Sequence, residues 1–169
     1  PVSRIVWTVS SISVTNAMPV EMIIGLPVAA TFFKQAQRAG TKLIVVDPRR
    51  GQMADQADFY CRIKPGTDVA FYNAVMNAIL AEGLVDEAYV AQYTENFEAL
   101  KAGVAEYSPE RAAKICGVDA ETIRLIAQTF GSAENAIIYW GMGISQHTHG
   151  TNNARCLIAL ALMTGNVGK

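Results

Sequence analysis

The segment Lys42–Val46, with the sequence KLIVV, constrains the fold of this chain more than any other. Its consecutive apolar residues are typical of a parallel strand covered on both faces, because a strand with one wet face alternates apolar and polar residues. Before it, apolar residues recur every three or four positions from Pro27 to Arg38, and Gly40 follows, which predicts a helix and its end. A second apolar run at 21–25 precedes this helix. We therefore predict a strand–helix–strand unit with a right-handed crossover.

The rest of the chain predicts further strands separated by helices. Additional strands are expected at Arg4–Val9, Tyr60–Ile63 and Ala136–Trp140. Additional helices are expected at about 52–57, 69–80, 87–93, 97–105, from Pro109 onward, 119–130 and 151–164. Four of these have a predicted N-cap, at Asp86, Asn96, Ser108 and Asp119. This order predicts an α/β fold with a doubly wound, mostly parallel, Rossmann-like sheet. We expect residues 1–169 to form a single domain, in which about 86–130 are a helical insertion that serves as a crossover.

The composition excludes several classes of protein. Hydrophobic residues make up 51% of the chain and charged residues 17%, which is the reverse of the balance in a disordered chain. The 14 Lys and Arg against 15 Asp and Glu give a net charge of −1, so no overall charge attracts nucleic acid or an anionic membrane. The apolar stretches are shorter than the roughly 20 residues that span a bilayer, or are broken by Gly and Pro. We predict no nucleic-acid partner and no membrane insertion.

The cysteines and histidines predict no metal site and no catalytic residue. Cys61, Cys116 and Cys156 form no CxxC pair, which argues against a zinc ribbon or an iron–sulfur cluster and favours reduced, buried thiols. His147 and His149 have no cysteine or carboxylate near them, so we expect them to hydrogen-bond a ligand or to stabilise their loop. No GxSxG nucleophile motif is present.

Two predicted strands end in residues that suit a phosphorylated ligand. After the first, Asp47 suits ribose hydroxyls or a purine edge, and the guanidiniums of Arg49 and Arg50 suit phosphate. The alternative is a turn with a solvated basic pair. After the second, Gly66 lets the backbone approach a ligand and the following helix start favours an anion. The alternative there is that Thr67 or Asp68 only caps the helix.

The third strand, Ala136–Trp140, ends in the longest polar and glycine-rich loop, WGMGISQHTHGTNN. This loop resembles the glycine turn of dinucleotide folds, but GxGxxG is absent, so an NAD-dependent enzyme is only weakly supported. Because parallel strands end at one edge of a sheet, the three loops predict one site. We expect that site to take an extended, phosphorylated, purine-bearing ligand.

Four segments resemble the catalytic subunit of molybdopterin-dependent formate dehydrogenases, which oxidise formate to carbon dioxide. They are PVAATFFKQAQRAGTK, LIVVDPRR, RIKPGTDVAFYNAVMNAILAEGLVDEAYV and YWGMGISQHTHGTNNARCLIALALMTGNVGK, and the resemblance extends over about 16–169. It implies a domain that binds one guanine dinucleotide of a bis(molybdopterin guanine dinucleotide) cofactor carrying molybdenum or tungsten. The residues implied at the guanosine end are Asp47, Arg49, Gly66 and Asp68. Those implied at the pterin and phosphate side are Gly141, Met142, Gly143 and Gln146.

The resemblance also implies that several functional segments of the family have no counterpart in this sequence. The family's cluster-binding cysteines, its metal-ligating Cys or selenocysteine and its active-site arginine lie in segments that match nothing here, and the family loop GxNxxxxHP is shortened near Gly25. We therefore expect a piece of a larger subunit that is inactive alone. Its expected partners are the remaining domains of that subunit and electron-transfer subunits, in the cytoplasm, with the periplasm left open. The alternative is a structural or interaction domain with an incomplete cofactor site.

Overall fold

A small parallel sheet organises the structure, a computed structural model that describes residues 4–9 and 27–168. Within these residues the strands are β1 (Arg4–Val9), β2 (Lys42–Val46), β3 (Phe59–Cys61) and β4 (Asn135–Trp140). Their order in the sheet is β3-β2-β1-β4, and every neighbouring pair is parallel. The strands predicted near these positions are confirmed. The strand predicted at 21–25 and the shortened loop near Gly25 lie outside the described residues.

Helices make up most of the described residues. They are α1 (Pro27–Arg38), α2 (Asp68–Ala81), α3 (Glu87–Tyr93), α4 (Phe97–Val104), α5 (Pro109–Cys116), α6 (Ala120–Gly131), α7 (Met142–Ser145) and α8 (Gly150–Met163). Three of the four predicted N-caps are confirmed, because the side chains of Asp86, Ser108 and Asp119 each accept a hydrogen bond from a backbone N–H of the first helical turn. The cap predicted at Asn96 is wrong, because the side chain of Asn96 makes no such bond. In the described part of the chain, no helix is both long and apolar enough to cross a bilayer.

Three local expectations need correction. The helix predicted at 52–57 is a series of turns, in which Ala54 N donates to Gly51 O and Gln56 N donates to Met53 O. Strand β3 ends before Ile63, whose backbone N–H turns back to the carbonyl oxygen of Cys61 at 3.1 Å. The short helix α7 was predicted as loop. In each case hydrogen bonds between close neighbours decide the local structure, and periodicity does not reveal them.

Strand β2 is buried on both faces, as its apolar run predicts. Leu43 and Val45 pack with Phe33 of α1 and with apolar residues of the 52–57 turns. Ile44 and Val46 point the other way into the main core, which is formed with α2, α6 and α8. The sheet therefore has helical structure on both sides of β2.

The helices between α2 and β4 share the main core with the sheet. Ile123, Ile126 and Phe130 of α6 are fully buried and belong to the same cluster as Ile44 of β2 and Leu157 of α8. Helix α2 lies at the centre of this layer, in contact with α5, α6 and α8. The fold is thus α/β with dominant helices and a small parallel sheet.

The segment after α8 fixes where β4 begins. Asn166 accepts a hydrogen bond from Ala136 N through its side-chain oxygen at 2.9 Å, and its side-chain nitrogen donates to Thr164. Tyr89 of α3 donates its hydroxyl to the carbonyl oxygen of Val167 at 3.1 Å. These bonds tie the end of α8 to the first residues of β4 and to α3. The carboxyl end of β4 is thereby positioned relative to the rest of the sheet.

Candidate functional site

The carboxyl ends of the strands lie along one edge, because all four strands run parallel. The ends of β2 and β3 are neighbours, whereas the end of β4 is separated from β2 by β1. With about 4.8 Å between strands, the loops after β2 and β4 start about 10 Å apart. The residues directly after β1 lie outside the described ranges. The described edge therefore carries predicted site residues at both of its ends.

Backbone hydrogen bonds hold Asp47 rigidly at the end of β2. Its carboxylate oxygen Oδ1 accepts from the backbone N–H of Arg49 at 2.7 Å, which is a turn typical of aspartate. Its backbone N–H donates to Cys61 O at 3.1 Å, and its carbonyl accepts from the Tyr60 hydroxyl at 3.0 Å. The side chain of Asp47 is mostly buried, at 7% exposure. A fixed carboxylate at a strand end is suited to accept hydrogen bonds from a ligand.

The two arginines after Asp47 have different surroundings. Arg50 pairs with Asp55 at 2.8 Å and lies over the ring of Tyr60, with 5.5 Å between guanidinium carbon and ring centroid. Arg49 is exposed at the edge. Arg50 is exposed, as a solvated basic pair predicts, and it also contacts the carboxylate of Asp55 and the ring of Tyr60.

Arg62 is a site residue that the sequence analysis missed. It follows β3 directly, is exposed, and donates a hydrogen bond from Nε to the carbonyl oxygen of Pro48 at 3.3 Å. Burial raises the pKa of the Tyr60 hydroxyl, and the charge of Asp47 raises it further. The guanidiniums of Arg62 and Arg50 lower the same pKa. The charges of Asp47, Arg50 and Arg62 therefore all act on the Tyr60 hydroxyl. Because the strand was predicted to extend to Ile63, Arg62 was expected inside it rather than directly after its end.

The turn after β3 has an open backbone but a buried acid. Gly66 has φ +79°, and a Cβ added there would meet no atom within 4 Å. The Thr67 hydroxyl donates to Lys64 O at 2.6 Å and makes no cap bond with α2, which corrects the capping alternative for this residue. Asp68 is 1% exposed, and its negative charge adds to the burial that raises the pKa of Tyr72 and of Cys156. The carboxylate of Asp68 thus lies inside the protein, so its contact with a cofactor stays a prediction.

Helix α7 brings together the site residues predicted after β4. Gly141 precedes it, and a Cβ added to Gly141 would meet no atom within 4 Å. Met142 and Gln146 are exposed and contact each other, with 3.3 Å between the amide nitrogen of Gln146 and the sulfur of Met142. Gly143 lies between them on the same short helix. These residues form an accessible surface at the β4 end of the edge.

Asn153 holds α7 against α8, and the sequence analysis missed this residue. It is 3% exposed, and its side-chain nitrogen donates to the carbonyl oxygen of Ile144 at 3.0 Å. Ile144 is itself fully buried in the main core. The backbone carbonyls of His147 and His149 accept from Gly150 and Asn153, so the histidine segment forms the connection between the two helices. Across residues 4–9 and 27–168, no group of three or more His, Cys, Asp or Glu could hold a metal ion.

The three thiols are expected to be unreactive while the chain is folded. Burial raises the pKa of Cys61 to about 12 and that of Cys156 to about 11, and it also raises the pKa of Cys116. At about pH 8 an ordinary cysteine is about one-quarter thiolate, whereas a thiol of pKa 11 is about one-thousandth thiolate. We expect Ellman's reagent to modify no thiol rapidly in the native chain and all of them in denaturant. Rapid reaction of a native thiol would contradict the buried positions.

A family model and individual known proteins were compared with the chain, and both indicate the same family. A family model described as "Molybdopterin oxidoreductase" matches residues 17–169. The F420-dependent formate dehydrogenase subunit alpha of Methanocaldococcus jannaschii is 46% identical over 143 residues, which are 85% of this chain and 21% of that protein. Formate dehydrogenase H of Escherichia coli is 41% identical over 143 residues, which are 85% of this chain and 20% of that protein.

A solved structure has a similar fold. Acetylene hydratase from Pelobacter acetylenicus superposes with a TM-score of 0.81 and 28% sequence identity, over 97% of this chain and 22% of that one. The chain spans about one-fifth of the length of each of these relatives. The family match covers nearly all of the chain, and the resemblance seen in the sequence is confirmed. The chain therefore belongs to the molybdopterin oxidoreductase family.

Proposed function

We propose that this chain is a domain of a formate dehydrogenase catalytic subunit and that it binds a guanine dinucleotide of the molybdopterin cofactor. One observation carries the proposal. The parallel sheet places a fixed carboxylate, Asp47, after β2, and it places Gly141, beside which space is open, after β4 at the far end of the same edge. An extended ligand with a guanosine at one end, a pterin at the other and a pyrophosphate between them would lie along such an edge.

The strand order supports a doubly wound, Rossmann-like arrangement. In the order β3-β2-β1-β4, strands β2 and β3 lie on one side of β1, and β4, which follows them in sequence, lies on the other side. In open α/β sheets, ligands bind beyond the carboxyl ends of the strands where the order reverses in this way. Here that point lies between β1 and β4. The burial of β2 by α1 on one face and by the main core on the other agrees with helices on both sides of the sheet.

The residues present fit the dinucleotide part of the cofactor. Asp47 supplies hydrogen-bond acceptors for a guanine or ribose, and Arg49 supplies an exposed cation for phosphate. Space is open beside the backbones of Gly66 and Gly141, where a Cβ would meet no neighbouring atom. In the full enzyme the bound cofactor supplies the redox chemistry, and the role of this chain is to bind and orient it.

The relatives are named for different substrates, which indicates that cofactor binding by this domain does not depend on the substrate. The same fold occurs in proteins named for formate oxidation and in one named for acetylene hydration. What these proteins share is better explained by a common cofactor than by a common substrate. We assign formate as substrate on the sequence identity to the two formate dehydrogenases.

An exposed apolar surface supports contact with other domains of a larger subunit. Ile137 and Tyr139 of β4 are 52% and 50% exposed, and Phe32 of α1 is 65% exposed. The ring of Phe33 in α1 packs edge-on against Tyr139, with 5.6 Å between the ring centroids, so this part of α1 lies against β4. Contiguous apolar surface of this kind commonly marks an interaction site. We assign it to the remaining domains of the catalytic subunit, because the relatives are about five times as long as this chain.

Thermal unfolding with GDP tests the proposal. We expect GDP at about 1 mM to raise the Tm of the parent chain by about 3–5 °C for a Kd near 0.1 mM. The variant Asp47→Asn keeps an acceptor for the turn to Arg49 but loses the charge, and we expect it to lose most of this shift. The control Asp55→Asn removes an exposed acid of the same loop and should retain the parent's shift.

A parent chain whose Tm does not move with GDP or GMP, and that matches Asp47→Asn in this respect, would contradict the proposal. The chain would then be a structural or interaction domain. Equal loss of the shift in Asp55→Asn and Asp47→Asn would instead show that the effect comes from general charge in this loop.

A further inference from the structure

Arg62 presents a guanidinium at the end of β2, although it belongs to the segment after β3. Its Nε donates to the carbonyl oxygen of Pro48, the residue that follows Asp47, at 3.3 Å. In the described part of the chain, Arg62 has no carboxylate within ion-pair distance, whereas Arg50 is paired with Asp55. Arg62 is exposed, and the hydrogen bond from its guanidinium to Pro48 uses Nε, so its Nη groups can donate to a ligand.

Asp47 and Arg62 bring opposite charges to the same place. The hydroxyl of Tyr60 donates to the backbone carbonyl of Asp47, and its pKa responds to both the Asp47 and the Arg62 charges. Arg62 would attract a phosphate at this point, whereas the carboxylate of Asp47 would repel it. A neutral group with donors on one edge and acceptors on another would instead satisfy both side chains.

Guanine is such a group. Its O6 and N7 atoms form an acceptor pair that matches the two donors of an arginine fork, and its N1–H and amino group are donors for a carboxylate. Adenine carries an amino donor in place of O6, so it would direct a donor at the arginine. The pair of opposite charges at the end of β2 therefore discriminates between the two purines.

We propose that Arg62 donates hydrogen bonds to O6 and N7 of the guanine that Asp47 binds, and so selects guanine over adenine at this edge. The inference rests on the proposed function, since it assigns a specificity-determining residue within the same site. It also gives distinct roles to the arginines near β2, in which Arg62 contacts the base and Arg50 stabilises its loop.

Titration with GDP and ADP, for the parent chain and for Arg62→Gln, tests this inference. We expect the parent to prefer GDP, and Arg62→Gln to bind GDP about 5- to 150-fold more weakly, which is the range for one bidentate base contact. We expect no loss of ADP affinity, because a glutamine amide pairs well with N6 and N7 of adenine. The control Arg50→Gln removes an equally exposed arginine of the same edge and should preserve the preference for GDP.

The outcomes separate the two proposals. If the parent binds no GDP, the proposed function fails and this inference fails with it. If the parent binds GDP and Arg62→Gln keeps both its affinity and its discrimination, only this inference is overturned. Equal losses of GDP and ADP affinity would also overturn it, because they would place Arg62 on the phosphates that both nucleotides share. The variant Arg62→Lys keeps a donor and should retain part of the GDP preference, which gives a second test if the glutamine variant folds poorly.

Discussion

Replacing Gly150 by alanine is expected to destabilise the chain by about 3 kcal/mol. Gly150 is the first residue of α8, and an added Cβ would lie 2.6 Å from the carbonyl carbon of Ser145 and closer still to its oxygen. The colliding atoms belong to the backbone, so no side chain can move aside. Urea unfolding of the parent and the variant measures the change in the free energy of unfolding.

Gly103→Ala is a matched control for this substitution. Gly103 lies within α4, and a Cβ added there would meet no atom within 4 Å. Because alanine is the better helix former, we expect this variant to gain about 0.5–1 kcal/mol. Equal effects of the two substitutions would contradict the close contact between α7 and α8.

The same close contact explains why Gly150 bears on function. Ser145 ends α7, which carries the predicted cofactor contacts Met142 and Gln146. Any shift that accommodates a Cβ at Gly150 must move the end of α7 or the start of α8. The position of the site at the end of β4 therefore depends on a glycine that is not itself exposed to the ligand.

The helix caps and the buried strand were predictable, because each has a signature in the residue types of the local sequence. The caps at Asp86, Ser108 and Asp119 are correct because each side chain bonds to an amide three residues later. The buried strand Lys42–Val46 is correct because its composition directly reflects burial on two faces. The carboxyl-edge location of Asp47 follows from that strand.

Features that depend on distant partners were not predictable. Arg62 gains its position from Pro48, and Asn153 gains its role from Ile144, contacts that no local pattern reveals. Asp68 was expected to cap the helix or to contact a cofactor, and its burial beside Tyr72 and Cys156 of α8 depends on residues distant in sequence. The short helix α7 contains a glycine in four residues, so propensity favoured a loop.

Phe130→Ala is expected to lower the stability of the whole chain by about 3–5 kcal/mol. Phe130 lies at the end of α6, is fully buried, and packs in the cluster that includes residues of β2 and α8. The cavity left by the ring would open between the helical insertion and the sheet. The control Leu125→Ala, on the same helix but 43% exposed, should cost at most about 1 kcal/mol.

This substitution also tests whether 86–131 unfold together with the sheet. Far-UV circular dichroism reports mainly on the helices, and fluorescence reports on the two tryptophans, Trp7 in β1 and Trp140 in β4. Because one core cluster joins α6 to β2, we expect the two signals to change in a single coincident transition, in the parent and in Phe130→Ala alike. If the circular dichroism signal of the helices were lost at a lower urea concentration than that at which the fluorescence changes, the helical insertion would be a separate folding unit. The proposed nucleotide site could then persist after the insertion had unfolded, whereas a single transition would make the proposed site as stable as the helical core.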